Sequence, residues 1–330
     1  MSKHYSLQKK PGEYHEPLFD GLDWIVHQVG SRGMRIILVL TDYWEHHGGV
    51  SQYLEWVGSP STAKSSFFTS RGCKHMYKNN ARVVISRFNP YTRLHYRDDP
   101  TIMAWELINE PRCRNCARRL QSWLEEMARF VKSVDENHLL STGEEGFYSL
   151  ATVGSRTANP DFWAFTTGQD FVENHAIPEI DFAVAHLWPD NWGLFTLSGS
   201  SVDDFSMEWI RSHIEDACWI LGKPFVLEEF GTTGQVTQLS KRKRSVDSFF
   251  RKVYDQIEQA STSGFPAQGS MFWTWHHLDL KPAAERVDDY AVFLGDPVFR
   301  AIEEHAEVLL SHANTALPSN RCIDDEDFIE

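Results

Sequence analysis

The 330-residue chain lacks any run approaching the roughly 18 consecutive apolar residues that a membrane-spanning helix needs. A hydrophobic helical span is thereby excluded. Its first residues, Met1 to Pro11, are polar and lysine-bearing, without the apolar core of a secretory leader. Basic charge is also scarce: 32 Lys and Arg stand against 46 Asp and Glu, for a net charge of -14 and a pI near 5.5. That balance argues against nucleic acid or an anionic membrane as the main partner, because both favour basic surfaces. A neutral or cationic ligand suits it better. The chain has no internal repeat, low-complexity linker or composition break, so one domain is the simpler organisation. Cysteine is sparse, with five in all, and Cys113 and Cys116 form the single C-x-x-C spacing. Without a second such pair or a suitably spaced His pair, only half of a zinc site is present.

What is abundant is aromatic: twelve Trp, ten Tyr and twenty-one Phe. Core packing accounts for most of these, whereas tryptophans beside strand ends can stack on the apolar C–H faces of a sugar. Apolar β-branched runs alternate along the chain with amphipathic stretches. Strands are expected at 35–40, 101–108, 138–141, 181–185, 224–227 and 269–273, and helices near 17–30, 72–88, 118–135, 201–221, 242–262 and 296–312. This is a parallel α/β pattern. The loops at 41–49, 109–116, 144–148, 186–192 and 273–279 follow strands and hold polar and aromatic residues, so chemistry is expected on one face.

Two glutamates stand out there. Glu110 follows the run Trp105-Glu106-Leu107-Ile108-Asn109, and Glu229 follows Phe225-Val226-Leu227-Glu228. A (β/α)₈ barrel builds its active site at the C-terminal ends of its strands, and glycoside hydrolysis needs two carboxylates facing one scissile bond. Glu106 and Glu228 lie nearby but are set apart by strand alternation or motif position, and a structural role is expected for Glu144 and Glu145. The run Lys241-Arg242-Lys243-Arg244 opens a helix and is expected to be a solvated face rather than a nuclear signal. From Pro318 the acidic end of the chain is expected to fray as a tail over 318–330.

The segment Asp99-Pro100-Thr101-Ile102-Met103-Ala104-Trp105-Glu106-Leu107-Ile108-Asn109-Glu110-Pro111-Arg112-Cys113 resembles the acid/base segment of the endo-β-1,4-mannanases of glycoside hydrolase family 5. Gly48-Gly49 with Gln52-Tyr53, Glu145-Gly146-Phe147-Tyr148, Ile180 to Ala183 leading into His186 and Pro189-Asp190, and Glu229-Phe230-Gly231 follow in the family's order. The resemblance implies an α/β fold of the (β/α)₈ TIM-barrel kind over 1–317. It implies a hydrolase that cleaves β-1,4-mannosidic bonds with retention and needs no cofactor and no metal. Its partners would be β-mannan polysaccharide and manno-oligosaccharides, with neither nucleic acid nor membrane involved. Glu110 would be the general acid/base and Glu229 the nucleophile, with carboxyl groups about 5–5.5 Å apart.

Among substrate-binding residues the resemblance implies Asn109 on the sugar 2-hydroxyl, His186 near the nucleophile, and Trp273 as the floor of the subsite beside the cleaved bond. Trp188 stands where the family carries a tyrosine, so any hydrogen bond from it to Glu229 would have to come from its indole N–H. Trp44 and Trp275 are weaker stacking candidates. A disulfide between Cys113 and Cys116 is implied as well; the spacing by itself also admits free thiols or half of a metal site, and Cys73, Cys218 and Cys322 are left unassigned. The family's first two barrel strands, and an arginine ending the second, have no counterpart before Ser6 to Gly12. The expectation is therefore a barrel chain without its first two strands, from a parent that is secreted. The alternatives are a related β-1,4-glucanase and a catalytically impaired mannan-binding remnant.

Overall fold

The computed structural model describes residues 6–45, 48–60, 63–152, 158–194, 199–234, 245–276, 288–315 and 322. Its contacts gather into two compact units, one made of Met1–Ser149 with Phe165–Phe182 and the other of Leu150–Ala164 with Ala183–Glu330. Each is built on a three-stranded parallel sheet.

The first unit begins with a hairpin, β1 (Gln8–Lys10) and β2 (Glu13–Tyr14), and helix α1 (Glu16–Ser31). The ring of His15 caps α1 by accepting the Leu18 N–H, and Pro17 sits in the first turn, where a missing N–H costs nothing. Then follow β3 (Ile36–Val39), α2 (Gly49–Trp56), α3 (Arg71–Ile85), a short hairpin of β4 (Phe88–Asn89) and β5 (Leu94–His95), β6 (Ile102–Glu106), α4 (Ala117–Val134), β7 (Leu139–Ser141) and the single turn α5 (Phe171–His175). The sheet order is β3-β6-β7, with Leu38 opposite Trp105 and Trp105 opposite Leu140.

Helix α4 shows why these segments choose helix. Leu120, Trp123, Leu124, Met127, Ala128 and Val131 fall on one stripe and are buried, while Arg119, Arg129 and Ser133 keep to the outside. Trp123 meets Phe67, Phe68 and Tyr77 with ring centroids 5.0–5.6 Å apart. Each such large side chain contributes about 1.5–3 kcal/mol by leaving water. Two buried aspartates of this unit are paired. Asp23 receives Arg87 and the Tyr96 hydroxyl at 2.7–3.1 Å, and Asp135 receives the Trp105 indole and His138, both at 2.7 Å.

The second unit holds β8 (Ala183–Leu187), α6 (Gly199–Asp216), β9 (Phe225–Phe230), α7 (Val246–Thr262), β10 (Ala267–Ser270), the short parallel pair β11 (Trp275–His276) and β12 (Val292–Phe293), and α8 (Pro297–Thr315). Its sheet order is β10-β9-β8. All five residues of β8 are buried, as expected for a parallel strand covered on both faces. Helix α7 buries Phe249, Phe250, Val253, Tyr254 and Ile257, and Tyr254 stacks on His305 of α8 at 4.0 Å. The turn at Ala217–Leu221 closes α6, and Gly222 ends it at φ 60°, a conformation that L side chains rarely adopt.

All six expected strands and all six expected helices are present. Three placements differ from the sequence reading. His186 and Glu229 lie within β8 and β9, not beyond them, because the β8–β9 ladder continues through the pair His186↔Glu229 to Leu187↔Phe230. The last strand is earlier, at Ala267–Ser270, where it pairs with β9. Helix α2 has no counterpart among the expected helices, because it is one short element opened by two glycines, too brief for periodicity to register. Among the described residues the parallel strands form two sheets of three and the short β11–β12 pair, and no closed eight-stranded ring is formed. No helix there is long and apolar enough to cross a membrane. The acidic end from Pro318, apart from Cys322, and the run 241–244 lie outside the described residues.

Two disulfides close, Cys113–Cys116 in the first unit and Cys218–Cys322 in the second, each with Cα atoms 5.2 Å apart. The C-x-x-C pair is thus a bridge, and two of the three unassigned cysteines are partners. Cys73 stays a buried thiol.

Candidate active site

In the first unit the chain leaves β6 by hydrogen bonds to two neighbours at once. Leu107, Ile108 and Glu110 donate their N–H groups to the carbonyls of Ser141, Thr142 and Gly143, while Asn109 donates to Thr41 and accepts from Tyr43. These contacts hold Glu110 at φ 47°, a left-handed conformation that costs a non-glycine residue about 1–3 kcal/mol and persists only where its surroundings impose it. Gly143, at φ 81°, makes the approach possible, since a Cβ there would collide with the Glu106 carboxylate and the Ile108 carbonyl.

The Glu110 side chain is buried, with 8% exposed, and its Oε2 accepts the Trp44 indole N–H at 2.6 Å. Trp44, a weaker stacking candidate from the sequence, is a hydrogen-bond donor to the carboxyl. Arg112 lies over the Trp44 ring at 5.2 Å and over Phe147 at 5.7 Å, and it grips Glu145 with both Nε and Nη2. Burial works against its charge, but Glu145 first and then Glu110 outweigh that and raise its pKa, so the guanidinium stays protonated. Gln169 completes the frame by donating to Glu145 and to the Pro111 carbonyl while accepting the N–H groups of Gly146 and Phe147. Glu145 is thus a member of an ion pair, and Glu144, bonded by Asn174, is pushed well above the usual carboxylate range by burial.

In the second unit Glu229 stands opposite His186 in the ladder, and the His186 Nδ1 lies 3.5 Å from its Oε2. His186 is buried, and Trp209 donates its indole N–H to the His186 carbonyl at 2.8 Å. Past the strand the wall is aromatic. Trp188 meets Tyr290 at 4.9 Å and Trp273 at 6.4 Å, both edge-on. Gly231 lets them close in: a Cβ there would meet the Trp273 carbonyl, Trp188 and Tyr290 at 2.9–3.1 Å. Trp273 donates to Asp288, and Tyr290 to Asn191. Burial, followed by Asp190, Asp288 and Asp289, raises the Tyr290 phenol above its usual range, so it remains a neutral donor.

The structure therefore places Asn109 next to Glu110, His186 beside Glu229, and Trp188 with Trp273 at Gly231, two residues past Glu229. Trp275 is not among these; it is 47% exposed and packs on Phe299. Sequence reasoning missed Trp44 as a partner of Glu110, and it missed Tyr290 altogether. Nothing local marks Tyr290, which is brought to Trp188 from about 100 residues away.

The family model described as GH family 5 beta-mannosidase-like matches residues 2–305. Mannan endo-1,4-beta-mannosidase 7 of Arabidopsis thaliana is 42% identical over 273 residues, 81% of this chain and 62% of its own length. Mannan endo-1,4-beta-mannosidase 1 of the same plant is 40% identical over 291 residues, 87% and 69%. The chain thus spans a little under two thirds of the first of these proteins and slightly more of the second. Among solved structures, the endo-beta-1,4-mannanase from Thermotoga petrophila superposes with a TM-score of 0.77 at 28% identity, covering 97% of this chain and 67% of that one.

Proposed function

We propose, from the premise that this chain belongs to the glycoside hydrolase family 5 β-mannosidase-like family, that it carries the catalytic machinery of a retaining endo-β-1,4-mannanase. The observation that carries the reading is the pair of glutamates, Glu110 just past β6 and Glu229 in the last residues of β9, each engaged by a neighbouring N–H or imidazole.

In the first step Glu229 attacks the anomeric carbon of a mannosyl unit, and the glycosidic C–O bond breaks as Glu110 passes its proton to the departing oxygen. A glycosyl ester of Glu229 results. In the second step Glu110, now a carboxylate, takes a proton from water, and the hydroxide displaces Glu229 with a second inversion, so configuration is retained overall. This requires the two carboxyls to face one bond about 5–5.5 Å apart. His186 orients the attacking carboxylate and Trp44 the proton-carrying one. Asn109 binds the 2-hydroxyl, a contact that strengthens as the ring flattens toward an oxocarbenium ion. Trp273, edged by Trp188, offers a ring on which a sugar's C–H face stacks. No step calls for a cofactor or a metal.

Each sheet of three parallel strands, with its strand–helix alternation, has the pattern of part of a (β/α)₈ barrel. Secretion of the full protein is supported by the two disulfides, which persist in oxidising compartments. The test is release of reducing ends from β-mannan and from carboxymethyl cellulose, beside Glu110→Ala and Glu229→Ala and a chain extended at its N-terminus. Release from mannan, lost in both variants, supports the reading; release from the cellulose derivative alone selects a glucanase, and saturable binding of mannan without hydrolysis selects a binding protein.

A further inference from the structure

We infer that Asp42 is a positioning residue for the acid/base loop, acting through Asn109 and Trp44. The inference deepens the proposed glycosidase reading and rests on it. Asp42 and Asn109 face each other as a parallel bridge between the segment after β3 and the segment after β6. The bridge is tied on both sides, by Asn109 N–H to the Thr41 carbonyl and by Tyr43 N–H to the Asn109 carbonyl, each at 3.0 Å. Within it the two oxygens of one carboxylate serve different partners. Oδ1 accepts the Trp44 backbone N–H at 2.6 Å, and Oδ2 accepts the Asn109 side-chain Nδ2–H at 3.4 Å.

The chemistry follows from donor and acceptor types. An ionised carboxylate only accepts, so it compels Asn109 to present its NH₂ to Asp42. The amide then has one orientation, with Oδ1 and the second N–H left for a ligand hydroxyl. An uncommitted asparagine can rotate its amide by half a turn and exchange donor for acceptor. The same carboxylate fixes the backbone of Trp44, whose indole N–H meets Glu110 at 2.6 Å. Backbone packing leaves little slack: the Asp42 carbonyl accepts the Val50 N–H, and Gly49 lies so near the Asp42 and Trp44 carbonyls that a Cβ would stand 2.5–2.6 Å from them.

Asp42→Asn tests this with almost no change in shape. Its side-chain oxygen can still serve Trp44 N–H, which leaves its NH₂ facing Asn109 and turns the Asn109 amide around. On mannan the expected result is a kcat lowered about 10–100-fold, the worth of one hydrogen bond that strengthens at the transition state, with KM nearly unchanged. In the Asn109→Ala background the same substitution should cost little more, because both changes remove one interaction. Asp42→Ser, which keeps an acceptor for Trp44 but none facing Asn109, should behave alike and guards against a folding failure of the first variant. A kcat equal to wild type, or losses that multiply fully with those of Asn109→Ala, would overturn the inference. A second readout needs no turnover: with ¹⁵N-asparagine labelling, the Asn109 side-chain amide, identified by its absence in Asn109→Ala, should have one proton shifted downfield by the carboxylate and lose that shift in Asp42→Asn. An unshifted amide overturns the inference even if the chain cleaves mannan. A shifted amide in a chain that cleaves nothing keeps the Asp42–Asn109 link and removes the mannanase reading.

Discussion

Glu110 and Glu229 are the same side chain in two differently built surroundings, one in each compact unit. Glu110 stands past its strand, in a left-handed backbone conformation, and is engaged by polar groups: the Trp44 indole of another loop directly, with the Arg112–Glu145 ion pair beside it. Glu229 sits inside the pleat of β9, registered against His186, with an aromatic wall of Trp188, Tyr290 and Trp273 beyond the strand end. Under the proposed roles the difference makes physical sense. A group that gives up and regains a proton in each cycle is held by directional donors that adapt to either charge state. A nucleophile must be aimed, and a strand paired on both sides aims it with its backbone.

The sharpest way to break this comparison is to remove each carboxyl in turn. Glu229→Ala should lose about 10⁴-fold or more in kcat on mannan and on aryl mannosides alike, since no bond can form without the nucleophile. Glu110→Ala should lose about 10²–10⁴-fold on mannan but far less in the first step on an aryl mannoside with a good leaving group, which departs without a proton. Burst kinetics on the aryl substrate read the difference, and equal losses on both substrates would erase the distinction.

The disulfides extend the contrast to stability. Cys218–Cys322 spans 104 residues and Cys113–Cys116 only three. In the chain-entropy picture, opening the longer loop costs about 4–5 kcal/mol and opening the shorter under about 2. Thermal melts of Cys218→Ser and Cys113→Ser should therefore separate clearly, with the first the lower. Arg112→Leu comes next: it leaves Glu145, with 1% of its side chain exposed, as a buried carboxylate without its guanidinium partner, at a cost of about 3–5 kcal/mol. Denaturant melts should show Arg112→Leu, Glu145→Gln recovering part of that loss.

The smallest effect expected is on the pH dependence of stability in the first unit. For His138 burial opposes the charge, but bonds to Asp135 and to the Asp99 carbonyl outweigh it and raise the pKa above the ordinary 6.5. Burial likewise opposes ionisation of Asp135, and His138, Trp105 and the Asn137 N–H outweigh it, lowering its pKa below the ordinary 3.8. A raised histidine contributes fully below its unfolded value and loses that contribution as pH rises through the folded one. A lowered carboxyl contributes above its unfolded value and loses it as pH falls through the folded one. The pair therefore stabilises most between about pH 4 and 6.5. Melting temperatures from pH 5 to pH 9 should fall more steeply for the wild type than for His138→Gln, and parallel curves would show that the pair carries no such linkage.

Much of this was legible in the sequence. The apolar run before Asn109 and the stripe of α4 are local patterns, and a backbone that must bury them has few choices, so strands, helices and the glutamate following β6 could be read directly. Strand ends were harder. His186 and Glu229 carry polar side chains, which argue locally for a loop, yet each is paired to the other's strand and the ladder runs on.

By itself, then, the sequence determined the alternating parallel elements, the acidic balance and the two glutamates, because each depends on residue type and spacing within one segment. Only the tertiary structure decided which partners those glutamates meet. The Trp44 indole on Glu110, the Asp42 bridge to Asn109, the Tyr290 ring against Trp188 and the choice of Cys322 for Cys218 each join residues from about 60 to more than 100 positions apart. Such pairings are set by the register of strands and the close approach of loops, and no local pattern encodes them.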